Sequence, residues 1–235
     1  MAKEIIPWED RIKKTGKLTI KIDDSVGQHG WAKAFKDGIT KFNELSIKDW
    51  KLGVTFETTD NFIQANVVAQ AKTGDFDFGY KDAWYTMKEK PYKFDGNSVH
   101  GACTPLHASV RNRVKHIDEI RLVKAFIFVP AKPQIKGGNS RTVGEPVKLV
   151  IVVHELLHAC GPDNDHHTDD DVFAWPSARF ESNNPDDDRL EVPTGQSQDV
   201  VVAPGKTVSK PVTVLMPPIF LNPPTQKKIR ELWTT

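Results

Sequence analysis

With 235 residues, the chain is long enough to bury a sizeable core in one large domain or two small ones. Its 38% hydrophobic and 27% charged residues are typical of a globular protein, and a formal net charge of +1 argues against partners such as nucleic acid or an anionic membrane. No stretch has the apolar length of a signal peptide or a membrane span, which predicts a cytoplasmic product unless a signal-independent route exports it. Cys103 and Cys160 are too few for a disulfide framework and are expected to be small buried apolar residues.

The first third of the chain alternates strand and helix patterns. Residues 1–16 are polar and charged, which predicts an irregular N-terminal arm. Residues 17–23 alternate apolar and polar side chains as a half-buried strand does, and residues 28–45 repeat apolar side chains at steps of three and four, as an amphipathic helix does. Residues 52–58 and 61–71 are predicted as further strands. A strand, a helix and a strand at this spacing indicate a right-handed parallel unit.

Residues 73–97 show no clear period and predict a loop-rich insert. Its aromatic residues are expected to pin the loop to the core, with a binding surface as the alternative. They are Tyr80, Trp84, Tyr85, Tyr92 and Phe94. The short segment 99–108 contains His100 and His107, for which surface or core roles are preferred over a second metal site. Residues 122–129 are the most hydrophobic strand candidate and should lie in the interior of a sheet.

Residues 146–160 predict one buried helix, because apolar side chains occupy nearly every side of the helical wheel. Pro146 suits the first helical position, Gly161 suits the residue just past the end, and Pro162 prevents continuation.

This helix carries His154, Glu155 and His158 in a His-Glu-x-x-His pattern. Side chains four positions apart lie on one face, so the two imidazoles point at one place, as zinc ligands do. Glu155 is placed to take a proton from a water whose pKa the metal has lowered. The alternative is a pair of core histidines with an incidental glutamate, but burying three ionisable groups without a partner costs several kcal/mol. Zinc needs a third protein ligand, and residues 163–167 follow directly with candidates.

Residues 154–161 resemble the zinc-binding motif of the metzincin metallopeptidases, in which His-Glu-x-x-His is followed by x-x-Gly-x-x-His. The two histidines, the glutamate and Gly161 match this motif. The chain departs from the motif at Asn164, a poor zinc ligand that stands where the family has its third histidine.

A lengthened loop accounts for this departure. His167 is followed by Thr168 and an acidic run, similar to the His-Ser/Thr-x-Asp run after the third histidine of many metzincins. The resemblance therefore favours His167 as the third ligand, followed by His166 and then by Asp163 or Asp165.

The resemblance implies an α/β (α+β) fold over a single domain, residues 1–235. It has a twisted mixed sheet, an active-site helix, and a small C-terminal part with a methionine turn and a terminal helix. Met216 stands where that turn is expected, although a methionine is also a common gap filler in cores, and the helix should open at Pro224 or Thr225. Segment 99–108 would be the edge strand that pairs with an extended peptide. Residues 176–211 are poor in large apolar side chains and predict a surface insertion that contains a short strand at 198–203.

The activity implied is that of a zinc-dependent endopeptidase acting on a peptide or protein substrate. His154, His158 and His167 would hold Zn²⁺, and Glu155 would be the general base. The alternative is a non-catalytic zinc-binding structural or binding protein that shares the fold. Peptide crosslinks of a bacterial cell wall are a further substrate hypothesis, which would suit a phage or lysis protein that is released or virion-associated. The sequence leaves the oligomeric state open.

Overall fold

A computed structural model describes residues 5–93, 101–112, 115–135, 141–162, 189–191, 197–203, 206–211, 213–215, 219 and 221–234. The helices are α1 (Asp10–Lys13), α2 (Asp24–Gln28), α3 (Ala32–Lys48), α4 (Glu145–Ala159) and α5 (Pro223–Trp233). The strands are β1 (Lys17–Ile22), β2 (Thr55–Thr58), β3 (Val67–Lys72), β4 (Phe76–Lys81), β5 (Thr86–Tyr92), β6 (Ala102–Asn112), β7 (Ile117–Pro130), β8 (Gln134–Ile135), β9 (Arg141–Thr142), β10 (Arg189–Glu191), β11 (Ser197–Ala203), β12 (Lys206–Pro211) and β13 (Thr213–Leu215). None of the helices in these ranges combines the length and apolarity needed to cross a membrane.

The centre of the fold is a five-stranded mixed sheet with the order β2-β1-β3-β7-β6. Strands β2, β1, β3 and β7 run parallel, whereas β6 lies antiparallel to β7 at the edge. The predicted α+β class with a mixed sheet is therefore confirmed. The expected edge strand overlaps β6, and the expected interior strand lies in β7, between β3 and β6. The parallel pairing of β1 with β2 confirms the predicted strand, helix, strand unit.

Each face of the sheet is covered by a different layer. On one face, Ala125, Ile127 and Val129 of β7 join the main core with α3 and α4. On the other face, Phe126 and Phe128 pack against the β4–β5 hairpin. Alternate residues of one strand point to opposite faces, so residues 122–130 of β7, which are buried on both sides, are apolar except for Lys124.

The prediction of a loop-rich insert at residues 73–97 was wrong, because residues 76–92 form an antiparallel β-hairpin. The rings of Phe76, Phe78 and Tyr80 lie 4.7–5.0 Å from those of Phe126 and Phe128. The expected pinning by aromatic residues holds for Tyr80 and also for Tyr92, whose ring lies 5.4 Å from that of Phe128. The expectation fails for Trp84, which lies at the tip of the hairpin and has a relative exposure of 82%. Phe94 lies outside the described residues.

The predicted helix at residues 28–45 corresponds to α3, whereas Gln28 belongs to the separate short helix α2. Helix α2 ends at Gln28 and α3 begins at Ala32, because Gly30 adopts a φ of +70° that helical residues do not have. Helices α3 and α4 approach closely where Gly38 faces Val152.

The N-terminal arm is less irregular than predicted. It contains α1, and Trp8 is fully buried and forms a parallel bridge with Leu122 of β7. At the other end of the chain, the predicted terminal helix is confirmed as α5, with Asn222 capping its first turn by accepting a hydrogen bond from the Thr225 amide. Within residues 176–211, the predicted short strand is found in β11, which pairs with β12.

Candidate metal centre

Helix α4 positions the three candidate site residues, and its bounds agree with the predicted 146–160 within one residue. Gly144 precedes the first turn, and Gly161 leaves the helix with a φ of +131°. Lys148 is the one lysine on this apolar helix. Its Nζ donates to the Gly30 carbonyl at 2.9 Å and to Glu145 at 2.8 Å, so its charge is neutralised at the protein surface. The rest of the helix can therefore be buried.

His154 and His158 converge as their spacing predicts. Their ring centroids are 4.7 Å apart, and their Nε2 atoms are 3.0 Å apart. Two nitrogens bound to one tetrahedral zinc ion at about 2.0–2.1 Å would be separated by about 3.3 Å. The histidine pair therefore fits two adjacent corners of a zinc site with only a small adjustment.

The turn after α4 orients the second histidine. Nδ1 of His158 lies 2.9 Å from the carbonyl oxygen of Pro162, and His158 is 7% exposed. A carbonyl only accepts hydrogen bonds, so Nδ1 carries the proton and Nε2 keeps its lone pair. This is the arrangement in which a second hydrogen bond fixes the tautomer of a metal-binding histidine.

Glu155 follows His154 directly on α4 and is almost fully buried, with a relative exposure of 3%. Burial in apolar surroundings raises the pKa of its carboxyl group to about 8. Among the described residues, its Oε2 atom has no hydrogen-bond partner. With this pKa the carboxyl group is neutral at pH 7 when no cation is bound, and its orphaned oxygen is costly unless a ligand or an ion completes its surroundings. A cation held by the histidines of the same helix would favour the ionised carboxylate.

Cys160 follows the last residue of α4, and Cys103 lies near Glu155. Burial raises the pKa of the Cys160 thiol, and burial together with the charge of Glu155 raises the pKa of the Cys103 thiol. Cys160 is buried as predicted, Cys103 is only partly buried, and neither forms a disulfide. Raised pKa values keep both thiols protonated at neutral pH.

Two tryptophans anchor the end of α4 that carries His158. The indole Nε1 of Trp8 donates to the Ala159 carbonyl at 2.9 Å, and that of Trp233 donates to the Cys160 carbonyl at 3.0 Å. The last carbonyls of a helix have no partner within the helix. Indole groups from the first and last described segments thus donate hydrogen bonds to carbonyl groups at the C-terminal end of α4.

The remaining predicted site residues lie outside the described residues. These are His167, His166, Asp163 and Asp165, the candidates for the third ligand, together with Met216 and His100. Within the described ranges, no group of three or more His, Cys, Asp or Glu side chains is placed to hold a metal ion. His107 lies exposed on β6. Of the predicted site residues, the structure brings His154 and His158 together and places Glu155 on the same helix.

Sequence reasoning missed two residues that shape the site. Pro162 was assigned only as a helix breaker, yet its carbonyl orients His158. Gly101 lies directly before the edge strand and packs against Glu155. A glycine inside the predicted strand segment 99–108 was the signal that pointed to a close approach of the backbone.

A comparison with models of known protein families finds no match, and neither does a comparison with curated protein sequences. The function of the chain must therefore follow from the chemistry of the site.

Proposed function

We propose that the protein is a zinc-dependent metallopeptidase that hydrolyses peptide bonds with the help of Glu155. The observation that carries this proposal is the convergence of the Nε2 atoms of His154 and His158, which lie 3.0 Å apart. The carbonyl of Pro162 orients His158, and a buried carboxylate stands on the same helix. Burying two imidazoles and a carboxylic acid on one apolar helix is costly, and such sets of ionisable groups are typical of functional sites.

The proposal assigns metal binding to the histidines and proton transfer to Glu155. His154 and His158 hold zinc through their Nε2 atoms, and His167 is the proposed third ligand, with His166, Asp163 and Asp165 as its alternatives. A bound zinc ion supplies Lewis acidity to the attacking water and to the scissile carbonyl. Glu155 accepts the proton of that water on its carboxylate and delivers it to the leaving nitrogen.

The order of the elements supports a metzincin-like architecture for this proposal. In that family the edge strand precedes the last interior strand, and the active-site helix follows. Here β6 lies at the sheet edge, β7 lies inside it, and α4 comes next in the chain. Among the described strands, β6 pairs with β7 alone, so its outer edge offers backbone donors and acceptors to an extended peptide.

The proposal is tested first by the zinc content of the purified chain. We expect about one zinc ion per chain, lost in His158→Ala and kept in His116→Ala, which removes an exposed histidine remote from α4 in sequence. Loss of one of three protein ligands leaves too few donors for a stable site. Absence of zinc from the metal-replete protein would refute the proposal.

Cleavage of denatured casein then separates an enzyme from a non-catalytic zinc protein. Glu155→Gln keeps the size of the side chain but cannot accept the proton, so it should retain zinc and lose activity by roughly 10²–10⁴-fold. The matched control Glu57→Gln removes an exposed carboxylate on β2 and should change neither property. Full zinc occupancy without chelator-sensitive cleavage of casein or of purified peptidoglycan would favour the non-catalytic alternative.

A further inference from the structure

Gly101 lies against the carboxylate of Glu155. An ideal Cβ built on Gly101 would be 2.7 Å from both Cγ and Oε1 of Glu155, and 2.8 Å from Cδ. The Cβ atoms of real residues essentially never lie closer than 3.0 Å to another heavy atom of a neighbouring residue. With the carboxylate in its present place, a glycine is therefore the residue that fits at position 101.

Glu155 has little room to move away. Its side chain is 3% exposed, and its neighbours Val152, Val153 and Leu156 on α4 are fully buried. A displaced carboxylate would have to enter a packed apolar region, which is costly for a polar group. The backbone at Gly101 and the core around α4 thus confine the carboxylate from different sides.

We propose that Gly101 is a positioning residue for Glu155. Because position 101 lacks a side chain, the backbone at Gly101, directly before the edge strand β6, approaches α4 closely enough to confine the Glu155 carboxylate. This inference rests on the proposed function of Glu155 as a base, and its steric part can be tested without activity.

The first test is a double-mutant cycle on the thermal stability of the metal-free protein. Gly101→Ala should lower the Tm by roughly 2–10 °C, as overpacking in a chain of this size does. In a Glu155→Ala background the carboxylate is gone, so the same substitution should change the Tm by less than about 2 °C. Gly27→Ala is the matched control, since a Cβ at Gly27 would meet no atom within 4 Å. An equal drop of the Tm in both backgrounds, or no drop in either, would overturn the proposal.

The second test follows cleavage of casein-derived peptide by the zinc-loaded protein. A displacement of about 1 Å at a reacting group costs on the order of 10²-fold in rate. Gly101→Ala should therefore lower kcat by about 10–100-fold, with KM and zinc content close to those of Gly27→Ala. A loss that appears in KM alone would show that Gly101 contacts substrate and does not position Glu155.

The two tests separate the inference from the proposed function. If the unaltered protein binds no zinc or cleaves nothing, the proposed function fails. Coupling of the Tm shifts would still establish that Gly101 sets the position of the Glu155 carboxylate.

Discussion

Removing the indole donor of Trp233 should destabilise the protein. In Trp233→Phe the ring that packs between α5 and α4 is kept in part, but the hydrogen bond to the Cys160 carbonyl, 3.0 Å long, is lost. Trp233 and Cys160 are both buried, so water cannot readily replace the missing donor. The substitution therefore isolates the contribution of one contact at the end of the metal helix.

The expected size follows from the cost of an unsatisfied buried carbonyl. Leaving such a group without a partner costs about 1–3 kcal/mol, and the smaller phenyl ring adds some loss of packing. For a chain of 150–250 residues, 1 kcal/mol corresponds to a Tm shift of about 2–4 °C. We therefore expect Trp233→Phe to lower the Tm by about 2–12 °C.

Thermal unfolding followed by circular dichroism measures this shift, and Trp84→Phe is the matched control. Trp84 is 82% exposed, so the same exchange of rings there should change stability by less than about 0.5 kcal/mol. If the two variants melt at the same temperature, the hydrogen bond between Trp233 and α4 does not stabilise the fold and the reasoning is refuted.

Three further predictions concern packing, ionisation and metal. Gly38→Ala should lower stability to urea by about 1–3 kcal/mol, because the new Cβ would lie 2.6 Å from Cγ1 of Val152, and Val152→Ala should relieve most of the loss. Burial and the hydrogen bond to Glu9 raise the pKa of Tyr85 to about 12, and burial with Asp82 raises that of Tyr80 further. The folded state thus favours the neutral phenols. Their contribution to stability is complete below the ordinary pKa of 10.0 and is lost as the pH rises through the pKa values of the folded state. A tyrosinate absorbance titration should therefore show both rings protonated at about pH 11. Chelation should lower the Tm of the zinc-loaded protein by about 5–11 °C if free zinc had stood at 100 times Kd, and should leave His158→Ala unchanged.

The parts of the fold that the sequence predicted well are those with strong local patterns. Helix α4 has an apolar surface on all sides and clear stop signals at Gly161 and Pro162, so its bounds were predicted within one residue. The interior strand β7 was evident from its run of large apolar residues. Both signals reflect burial on every side, which few other local structures require.

The β4–β5 hairpin was missed although half of its pattern was present. Phe76, Phe78 and Tyr80 alternate with polar residues, as a one-sided strand requires. The partner strand contains Lys88, Glu89, Lys90 and Pro91, which have low strand propensity. Packing of the aromatic rings on Phe126 and Phe128 stabilises the hairpin, and such long-range contacts cannot be read from local composition.

The candidate site was predictable only where a helix fixes the spacing. The convergence of His154 and His158 follows from the helical repeat, and so does the placement of Glu155 beside them. The roles of Gly101 and Pro162 depend on how β6 and the turn after α4 pack in three dimensions. The candidates for the third ligand lie outside the described residues, so His167 stays a prediction.

The two tryptophan contacts at the end of α4 also bear on the order of folding. Trp8 lies 151 residues before its partner carbonyl, and Trp233 lies 73 residues after its own. Contacts of such sequence separation require long loops to close first, which makes them slow to form. The helical signal of α4 should therefore appear in refolding before either indole becomes buried. The histidine pair would be assembled in a frayed turn at first and become rigid only when both remote segments dock.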